Sequence, residues 1–530
     1  MNIALIQCPA WLTYSPPHGL SLLSADLKNN GHIIHCFDLN YLIYKKASDS
    51  EFGLLVKRYW DTAFINEMWD NLENVKSVFN LCTKEIEEFL KCLSSVQPDI
   101  IGLSVFSTSG YFSFLLTQKI KIALPHAKIF WGGPECFESF GRIDYILEKV
   151  PEIDILFTGY SCGILSEVVN YYERNNTLPA SSDAYITNNE NYASDKLLTD
   201  MCFDDIPKAD TQCFNFTEYN LEYFPVWVTK GCVNRCSFCH ECKTNKKYLW
   251  RNPQKIANEI VYFQKVFPKI EYFWLTSSNI GGNLIQLVEL CNVFIDKTPS
   301  IKWVSQLAIH EKLTYGLFSL LKSSGCTCLY FGVESGSNRV LRLMNKPIDK
   351  KTIKNVLNSV AKAGIKFNFN LIVGFPGETI SDFIHTLFLI HKFKRFGISP
   401  SVATCKIIPG SRLYKFPEKF NVLNYKDENW LTTDYKNTLE IRTERKRIAE
   451  YMYRSNFLNI FDIPYQLFLY WSFYRNNKAK NVKHLMAEPV GVLSKLIYCI
   501  SFLPFLLWIG FIIGKMKILE IKVMKKLTNR

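Results

Sequence analysis

The sequence predicts an α/β protein in two parts, an open parallel sheet followed by a partial β/α barrel, with a helical C-terminal tail. Two observations carry this prediction. Apolar strand patterns alternate with helical patterns from residue 1 to about residue 163, and again from about 224 to 408. A short loop with three cysteines follows the first strand of the second series, at the place where β/α barrels keep their chemistry.

Length and composition indicate a globular protein with more than one domain. At 530 residues the chain exceeds one ordinary hydrophobic core, so two or three domains are expected. Its 17 cysteines are too sparse for a small secreted disulfide scaffold. The stretch Met1–Gln7 has no basic region and no small-residue cleavage site, so we expect no signal peptide. We therefore expect a reducing, cytoplasmic compartment.

Residues 1–163 form the first predicted domain, a Rossmann-like α/β sheet. Residues 41–95 are expected to be a helical insertion, and the polar stretch 164–222 is expected to be a linker between domains. The strands of the sheet are predicted at 2–7, 33–37, 98–105, 128–131 and 153–158.

Small residues follow the predicted strands of this sheet, at Ser104, Gly132, Gly133 and Gly159. In open α/β sheets the ligand crevice lies beyond the carboxyl ends of the strands, and glycines there let a large ligand approach the backbone. Each glycine taken alone is also a plain turn residue. Three such ends in one sheet favour a nucleotide-like cofactor. The dinucleotide fingerprint G-x-G-x-x-G does not follow the first strand.

Residues 223–450 form the second predicted domain, a partial (β/α)6 barrel of the TIM type. Such barrels place their chemistry at the carboxyl ends of the strands. The strands are predicted at 224–229, 271–276, 301–305, 327–333, 366–373 and 399–407, and the helices at 253–266, 284–296, 312–323, 351–363 and 380–393.

The cysteine loop follows the first barrel strand, and its thiols have the spacing C-x3-C-x2-C at Cys232, Cys236 and Cys239. Thiolates this close can converge on one metal centre. Three ligands are one fewer than a closed zinc or iron–sulfur site needs, which leaves one position open for a substrate or cofactor. The alternative is a structural zinc loop completed by His240 or Cys242.

These residues resemble the radical S-adenosylmethionine (SAM) enzymes. The signature of that family is C-x3-C-x2-C with an aromatic residue, here Phe238, before the last cysteine. Further segments resemble the family's fourth, fifth and sixth strand motifs, in the family's order and spacing. They are Tyr330–Ser337 with Val340–Lys346, then Asn370–Thr379, then Ile408–Ser411.

The resemblance implies that the three cysteines hold three irons of a 4Fe-4S cluster and that SAM binds the fourth iron. One electron from the cluster would cleave SAM to a 5′-deoxyadenosyl radical, with flavodoxin or ferredoxin as the expected electron donor. A salt-bridged surface glutamate is the alternative for Glu334, and a simple strand-to-helix turn is the alternative for residues 374–378. No catalytic residue is assigned. The implied SAM contacts are Phe238, Ser277, Gly332, Glu334, Gly374 and Pro376, with Asn279 as a further candidate.

The first domain resembles the cobalamin-binding domain that precedes the barrel in one branch of this family. The segments Ser15–Leu20, Pro98–Ser104 and Trp131–Pro134 carry that resemblance. It implies bound cobalamin as a further cofactor. The implied cobalamin contacts are Pro16, Gly19, Gly102, Ser104, Gly132, Gly133 and Gly159.

The sequence departs from the family at three places. In the Asp-x-His-x-x-Gly loop of many cobalamin domains, Gly19 fits the glycine, but Pro16 takes the position of the histidine and His18 is out of register. We therefore expect cobalamin without a protein imidazole. Residues 159–163 replace the usual Gly-Glu-Gly-Glu, and residues 276–279 replace an acidic segment, so some local contacts must differ.

Methyl transfer to an unactivated carbon or phosphorus is the reaction that the branch resemblance implies first. Radical ring formation or rearrangement without methyl transfer is the alternative within catalysis. A cluster- and corrinoid-carrying electron-transfer or sensor protein is the non-catalytic alternative. The substrate is a small molecule, a lipid or a peptide that the sequence does not identify, and no nucleic acid is expected.

The C-terminal region 451–530 is predicted to be helical, with a segment of 19 uncharged residues at 496–514. Pro504 interrupts this segment, and basic residues flank both of its sides. We expect an interfacial or re-entrant hairpin on the inner face of a membrane, with a single span and a buried docking helix as alternatives. Part of the net charge of +13 lies in the tail beyond residue 514, which suits an anionic membrane surface, nucleic acid or simple solvation.

Overall fold

The computed structural model describes residues 1–48, 58–60, 65–137, 141–188, 203–219, 221–241, 247–298, 300–425 and 429–454. Most of the predicted C-terminal region, including the uncharged segment 496–514, lies outside these residues, as does Cys242. Among the residues that are described, no helix is both long and apolar enough to cross a membrane.

The first sheet has six strands in the order β2-β1-β3-β4-β5-β6. Strands β1 to β5 pair in parallel, and β6 is antiparallel to β5. The last strand lies within the stretch 164–222 that the sequence predicts as a linker, so part of that stretch extends the sheet. The strands are β1 Asn2–Gln7, β2 Ile33–Asp38, β3 Ile100–Ser104, β4 Lys128–Gly132, β5 Ile155–Phe157 and β6 Tyr185–Thr187.

Helices cover both faces of this sheet, and each face has its own apolar core. Helices α1 and α8 cover one face, whereas α2 to α7 contribute to the core on the other. The predicted helical insertion supplies Trp60 and Trp69 to this second core, where they pack edge to face at 5.3 Å. The helices are α1 His18–Asn29, α2 Leu39–Ser48, α3 Ile65–Trp69, α4 Leu72–Leu81, α5 Thr83–Ser95, α6 Gly110–Ala123, α7 Ile143–Lys149 and α8 Ile164–Asn175.

The second sheet has six parallel strands in the order β14-β13-β12-β11-β10-β7. Strands β7 and β14 form its two edges, as in an open six-stranded barrel. Two short ladders, β8 with β9 and β15 with β16, lie beside it. The strands are β7 Phe224–Trp227, β8 Thr229–Lys230, β9 Leu249–Trp250, β10 Tyr272–Thr276, β11 Lys302–Ala308, β12 Cys326–Glu334, β13 Lys366–Val373, β14 Ser401–Thr404, β15 Val422–Leu423 and β16 Leu431–Thr432.

Polar side chains start most of the barrel helices by accepting hydrogen bonds from free backbone amides. Thr379 and Asp382 form a reciprocal capping box at α14, and Asp349 accepts from the Thr352 amide at α13. Local sequence therefore fixes where each connection leaves the strands. The helices are α9 Pro253–Val266, α10 Leu284–Lys297, α11 Tyr315–Ser323, α12 Asn338–Leu343, α13 Lys350–Lys362, α14 Ile380–Lys394, α15 Arg412–Lys415 and α16 Leu439–Arg454.

The fold class predicted from the sequence is confirmed, with parallel sheets and β/α alternation in both parts. Residues 203–219 join the two parts by packing against both of them. Phe203, Ile206 and Phe216 lie in the barrel core, and so does Leu22 of α1. The first part is therefore attached to the barrel through an apolar contact.

Gly133 fixes the edge of the first sheet where β4 ends. Its φ of +104° belongs to the region that favours glycine, and a Cβ built on it would lie 2.6 Å from the Val105 carbonyl oxygen. The two neighbouring connections approach closely here, because the Val105 amide donates to the Gly132 carbonyl at 2.7 Å. Any side chain at Gly133 would force these connections apart.

We predict that Gly133→Ala destabilises the protein by about 2 kcal/mol or more, because it combines backbone strain with overpacking. Chemical denaturation monitored by circular dichroism measures the loss. Gly316→Ala in α11 is the matched control, since its Cβ would meet only the Thr314 hydroxyl at 3.9 Å. Equal stabilities of the two variants would contradict the prediction.

Candidate active site between the two sheets

The cysteine loop leaves the barrel directly after β8. Gly231, with a φ of +82°, turns the chain there, and the Cys239 amide donates to the Cys236 carbonyl at 3.2 Å. Cys236 is buried, whereas Cys232 and Cys239 are half-buried. The loop therefore presents three thiols at the end of the first barrel strand, as the sequence predicts.

Buried hydrogen bonds hold the middle of the loop. The Ser237 amide donates to the Met344 carbonyl at 2.8 Å, and the Ser237 carbonyl accepts from the Leu413 amide at 2.8 Å. The Ser237 hydroxyl donates to the Leu343 carbonyl at 3.3 Å. Because Ser237 is only 1% exposed, water does not compete for these bonds. The segments after α12 and at α15 thus fix the loop from two sides.

Phe238, a predicted SAM contact, packs against the small apolar cluster around Val340, Phe375 and Leu413. In the structure its ring packs into this cluster and anchors the cysteine loop there. A contact with SAM stays a prediction.

The donor set fits a 4Fe-4S cluster in its chemistry. Within the described part of the chain, no three His, Cys, Asp or Glu side chains are grouped as a single metal ion would need. In a cluster each thiolate binds its own iron, so its cysteines need not meet at one point. Burial raises the pKa of the Cys239 thiol to about 12, and nearby Cys236 and Cys232 also raise it, so the three side chains are electrostatic neighbours.

Glu334 ends β12 at the mouth of the barrel and is held by a lysine that the sequence did not single out. Its φ is +69°, and a register shift between Gly332 and Glu334 turns the strand end. Lys346 Nζ donates to the Gly332 carbonyl at 2.6 Å and lies 3.1 Å from Glu334 Oε1. Both charged side chains are buried, with 6% and 10% exposure. Glu334 therefore forms a salt bridge, as the alternative interpretation holds. This salt bridge is buried at the predicted SAM site and does not lie on the surface.

Ser277 and Asn279 follow β10, and the structure engages both of them within the protein. The Ser277 hydroxyl accepts from the Asn279 amide at 3.1 Å and shares a hydrogen bond with the Thr229 hydroxyl. Asn279 Oδ1 accepts from the amides of Gly281 and Ala308 at 3.1 and 2.9 Å. These bonds fix the loop after β10 against β11. A direct SAM contact of either residue stays a prediction.

The turn after β13 is built from Gly374 and the buried Pro376. Gly374 has a φ of +72°, and its amide donates to Glu378 Oε2 at 2.7 Å. A Cβ on Gly374 would lie 2.3 Å from Arg442 Cγ, so α16 packs directly on the turn. Asn437 Nδ2 also donates to the Gly374 carbonyl at 2.8 Å. The predicted SAM turn is therefore rigid.

Helix α16 supplies the counter-charge that keeps this turn buried. Arg445 Nη1 lies 2.7 Å from Glu378 Oε2, and both side chains are at most 2% exposed. Burial raises the pKa of Glu378, while Arg445 acts in the opposite direction. The Arg442 guanidinium lies 3.7 Å from the ring centre of Trp430 and donates to the Trp430 carbonyl at 2.9 Å.

The predicted cobalamin residues fall into two groups in the structure. Ser104 and Gly132 end neighbouring strands in register, and Gly133 follows directly. Gly159 lies after β5, and a Cβ on it would meet open space. These positions share the carboxyl edge of the first sheet.

Of the remaining three positions, Pro16 and Gly19 follow β1, whose last residue Gln7 pairs with Ser104, and only Gly102 lies away from that edge. Gly102 lies inside β3, where a Cβ would lie 3.0 Å from Leu5 Cδ2, so its small size serves strand packing. Pro16 is buried, and Gly19 is exposed on the first turn of α1. His18 lies edge-on to Phe224 of β7 at 6.3 Å, and burial lowers its pKa to about 4.

A cavity of about 780 Å³ lies between the two parts of the protein. Its walls come from the loops after β3 and β4, from α6 and α7, and from residues 404–409 after β14. Most of the lining is aromatic or apolar, and its charged residues are Asp70, Glu135, Arg142, Lys149, Lys406 and Arg442. Glu135 pairs with Arg142, and burial raises the pKa of the Glu135 carboxyl. The cavity, which is large enough for a ligand, thus borders the ends of β3, β4 and β14, and neither the loop cysteines nor Glu334 line it.

Comparison with known sequences identifies the class of the barrel. Residues 227–390 match the family model of the Radical SAM superfamily. The anaerobic magnesium-protoporphyrin IX monomethyl ester cyclase of Cereibacter sphaeroides is 24% identical over 338 residues, which are 61% of this chain and 52% of the cyclase. An uncharacterized methyltransferase of Pyrococcus horikoshii is 21% identical over 68% of this chain and 78% of that protein. Residues 227–390 therefore carry a radical SAM domain, which confirms the predicted family for this part of the barrel.

Comparison with solved structures extends the likeness to both parts. The radical SAM methyltransferase TsrM from Kitasatospora setae, with cobalamin and a 4Fe-4S cluster bound, matches with a TM-score of 0.57 and 14% identity. The match covers 79% of this chain and 78% of TsrM. The cobalamin-dependent radical SAM enzyme OxsB matches with a TM-score of 0.55 and 14% identity over 79% of this chain and 56% of OxsB. The chain therefore shares the fold of TsrM and OxsB, and it spans about half of OxsB and of the cyclase.

We predict that Arg445→Met destabilises the protein by about 3–5 kcal/mol, because it leaves the Glu378 carboxylate buried without its guanidinium partner. Denaturant unfolding measures the change. Adding Glu378→Gln to Arg445→Met should recover part of the loss, since the buried charge is then removed.

The exposed pair of Lys302 and Glu271, 42% and 60% exposed, is the control for this prediction. Glu271→Gln should change stability by less than about 1 kcal/mol. A loss of that small size for Arg445→Met would show that the buried pair does not hold the turn.

Proposed function

We propose that the protein is a cobalamin-dependent radical SAM methyltransferase that modifies an unactivated carbon or phosphorus centre. The observation that carries this proposal is the placement of Cys232, Cys236 and Cys239 at the first strand end of a radical SAM barrel, in a chain with the fold of TsrM. When bound, the cluster, SAM and cobalamin would supply radical generation and a methyl carrier.

The residues of this chain would bind and orient these groups. The three cysteines would hold the cluster, and Gly332, Glu334 and Gly374 lie at strand ends around the same barrel mouth. The edge formed by Ser104, Gly132 and Gly133 would receive the corrin cofactor. The cavity between the two parts, which borders the end of β14 and none of these residues, offers space for a substrate.

A second candidate is radical ring formation without net methyl transfer. The match to the magnesium-protoporphyrin cyclase favours it, because that relative shares 24% identity over 61% of this chain. The non-catalytic alternative, an electron-transfer or sensor protein, would keep the cofactors but would not cleave SAM.

Anaerobic incubation of the reconstituted protein with SAM, cobalamin and a reductant tests the proposal. We expect both 5′-deoxyadenosine and S-adenosylhomocysteine, measured by liquid chromatography and mass spectrometry. Replacing the three loop cysteines by alanine should abolish both products together with the iron–sulfur absorbance. Cys92→Ala, at an exposed cysteine on α5, is the matched control and should leave products and iron content unchanged.

Two other outcomes of this experiment identify alternatives. Formation of 5′-deoxyadenosine without S-adenosylhomocysteine would favour ring formation or rearrangement. An intact cluster that yields neither product would contradict the enzymatic proposal.

We also propose that the C-terminal region binds the inner face of a membrane, which favours a lipid or polyprenyl substrate. The uncharged segment 496–514 and the lysines after it support this proposal. The apolar and aromatic lining of the cavity suits such a substrate.

Sedimentation with phosphatidylglycerol vesicles tests the membrane proposal. The full chain should sediment with these vesicles more than with phosphatidylcholine vesicles, and less at high salt, because the tail is basic. Deleting residues 485–530 should remove binding while the cluster still assembles. Vesicle binding that survives the deletion would contradict the role of the tail, and equal activity of the deletion variant would remove the support for a lipid substrate.

A further inference from the structure

The four residues Leu343 to Lys346, which we call the clamp, contact both the cysteine loop and the end of β12. Leu343 is the last residue of the short helix α12 and the other three follow it, with Met344 fully buried in the apolar cluster with Val340 and Leu413. The clamp is thus anchored in a separate apolar cluster. It lies between the cysteine loop and the end of β12, which would both contact SAM in the proposed function.

On one side the clamp fixes the cysteine loop. The carbonyls of Leu343 and Met344 accept from the hydroxyl and the amide of Ser237. The Asn345 side chain adds a third bond, in which Nδ2 donates to the Arg235 carbonyl at 2.7 Å. Arg235 and Ser237 flank Cys236, so these bonds determine where that thiol lies.

On the other side the clamp fixes the end of β12. Lys346 Nζ donates to the Gly332 carbonyl and pairs with Glu334, at 2.6 and 3.1 Å. The ammonium group is buried, so it is committed to these two partners. A buried charge without such partners would be strongly unfavourable.

The backbone of the clamp explains how neighbouring residues reach opposite sides. Asn345 has a φ of +54°, a left-handed conformation that asparagine tolerates better than most residues. The Lys346 amide donates back to the Leu341 carbonyl at 2.9 Å, which closes the end of α12. The turn therefore directs Asn345 to the cysteine loop and Lys346 to β12.

We propose that the clamp couples the position of the cysteine loop to the position of Glu334, and that Asn345 and Lys346 are positioning residues for the cluster and for SAM. This inference rests on the proposed function. Its signature is a crossed effect. A change in Asn345, whose side chain bonds to the cysteine loop, weakens SAM binding. A change in Lys346, whose side chain bonds to the end of β12, alters the cluster.

Variants of the two residues separate coupling from local damage. Asn345→Gly keeps the left-handed turn and removes the amide, whereas Asn345→Asp keeps a similar shape but cannot donate. Lys346→Met removes the ammonium at similar length, and Lys346→Arg retains donors. Asn176→Gly is the matched control, because Asn176 also ends a helix with a φ of +52° but lies in the first part.

Three measurements are made on each reconstituted full-length protein. Iron content reports cluster assembly, electron paramagnetic resonance of the reduced cluster with and without SAM reports its environment, and the SAM dependence of 5′-deoxyadenosine formation gives KM and kcat. Thermal unfolding by circular dichroism shows which variants are folded.

We expect Asn345→Gly and Asn345→Asp to raise the KM for SAM about threefold to tenfold, the range of one lost hydrogen bond. Lys346→Met should shift the resonance signal of the SAM-free cluster, and Lys346→Arg should restore it in part. Asn176→Gly should match the wild type in all three measurements.

The outcomes distinguish the clamp from the proposed function. The first case is a wild-type protein that assembles a cluster and cleaves SAM. If its Asn345 variants change iron content alone and its Lys346 variants change KM alone, the coupling is overturned. A wild-type protein that forms no cluster would overturn the proposed function, and the coupling with it.

Discussion

The peptide groups around Ser237 hold the site together. Three chain segments meet there, namely the loop after β8, the residues after α12 and the helix α15. Their backbone amides and carbonyls form hydrogen bonds with one another, and Ser237 is buried from water. A loop that carries three cysteines has little regular structure of its own, so its shape depends on these bonds. Because the bonds use main-chain atoms of Met344 and Leu413, the loop cannot move unless α12 and α15 move with it.

A similar constraint acts on the opposite side of the barrel mouth. A six-stranded barrel leaves two strand edges open, and the turn after β13 lies close to one of them. Helix α16 covers this turn with two buried arginines, of which Arg445 pairs with Glu378 and Arg442 packs on Trp430. Burying these charges is favourable only when their partners are in place. The chain beyond the barrel strands is therefore part of the site.

Much of this arrangement could be predicted from the sequence, because it depends on local patterns. The strands β1 and β13 and the helix α9 have the predicted bounds, since apolar periodicity and cap residues define them. The cysteine spacing located the site. The three-residue strand β6 was missed because so short a segment has no clear periodicity and lies in a polar stretch predicted as a linker.

The missed site residues depend on contacts between distant segments. Glu378 and Arg445 lie 67 residues apart, and Lys346 reaches Gly332 only because α12 ends in a left-handed turn. Lys346 and Glu378 lie within the motif segments Val340–Lys346 and Asn370–Thr379, but the motifs do not reveal which groups the two side chains contact. The sequence assigns Ser277, Asn279 and Phe238 to SAM, and the structure bonds or packs them within the protein, so their contacts with SAM stay predictions. Gly102 stays a predicted cobalamin contact, and Leu5 of the neighbouring strand lies against it.

The central claim is that the position left open by three cysteines belongs to SAM. Electron–nuclear double resonance of the reduced, reconstituted protein with SAM labelled with ¹⁵N at its amino group measures this directly. The account predicts a ¹⁵N hyperfine coupling to the cluster, which unlabelled SAM does not give. A reduced cluster that shows no ¹⁵N coupling at saturating SAM would contradict it.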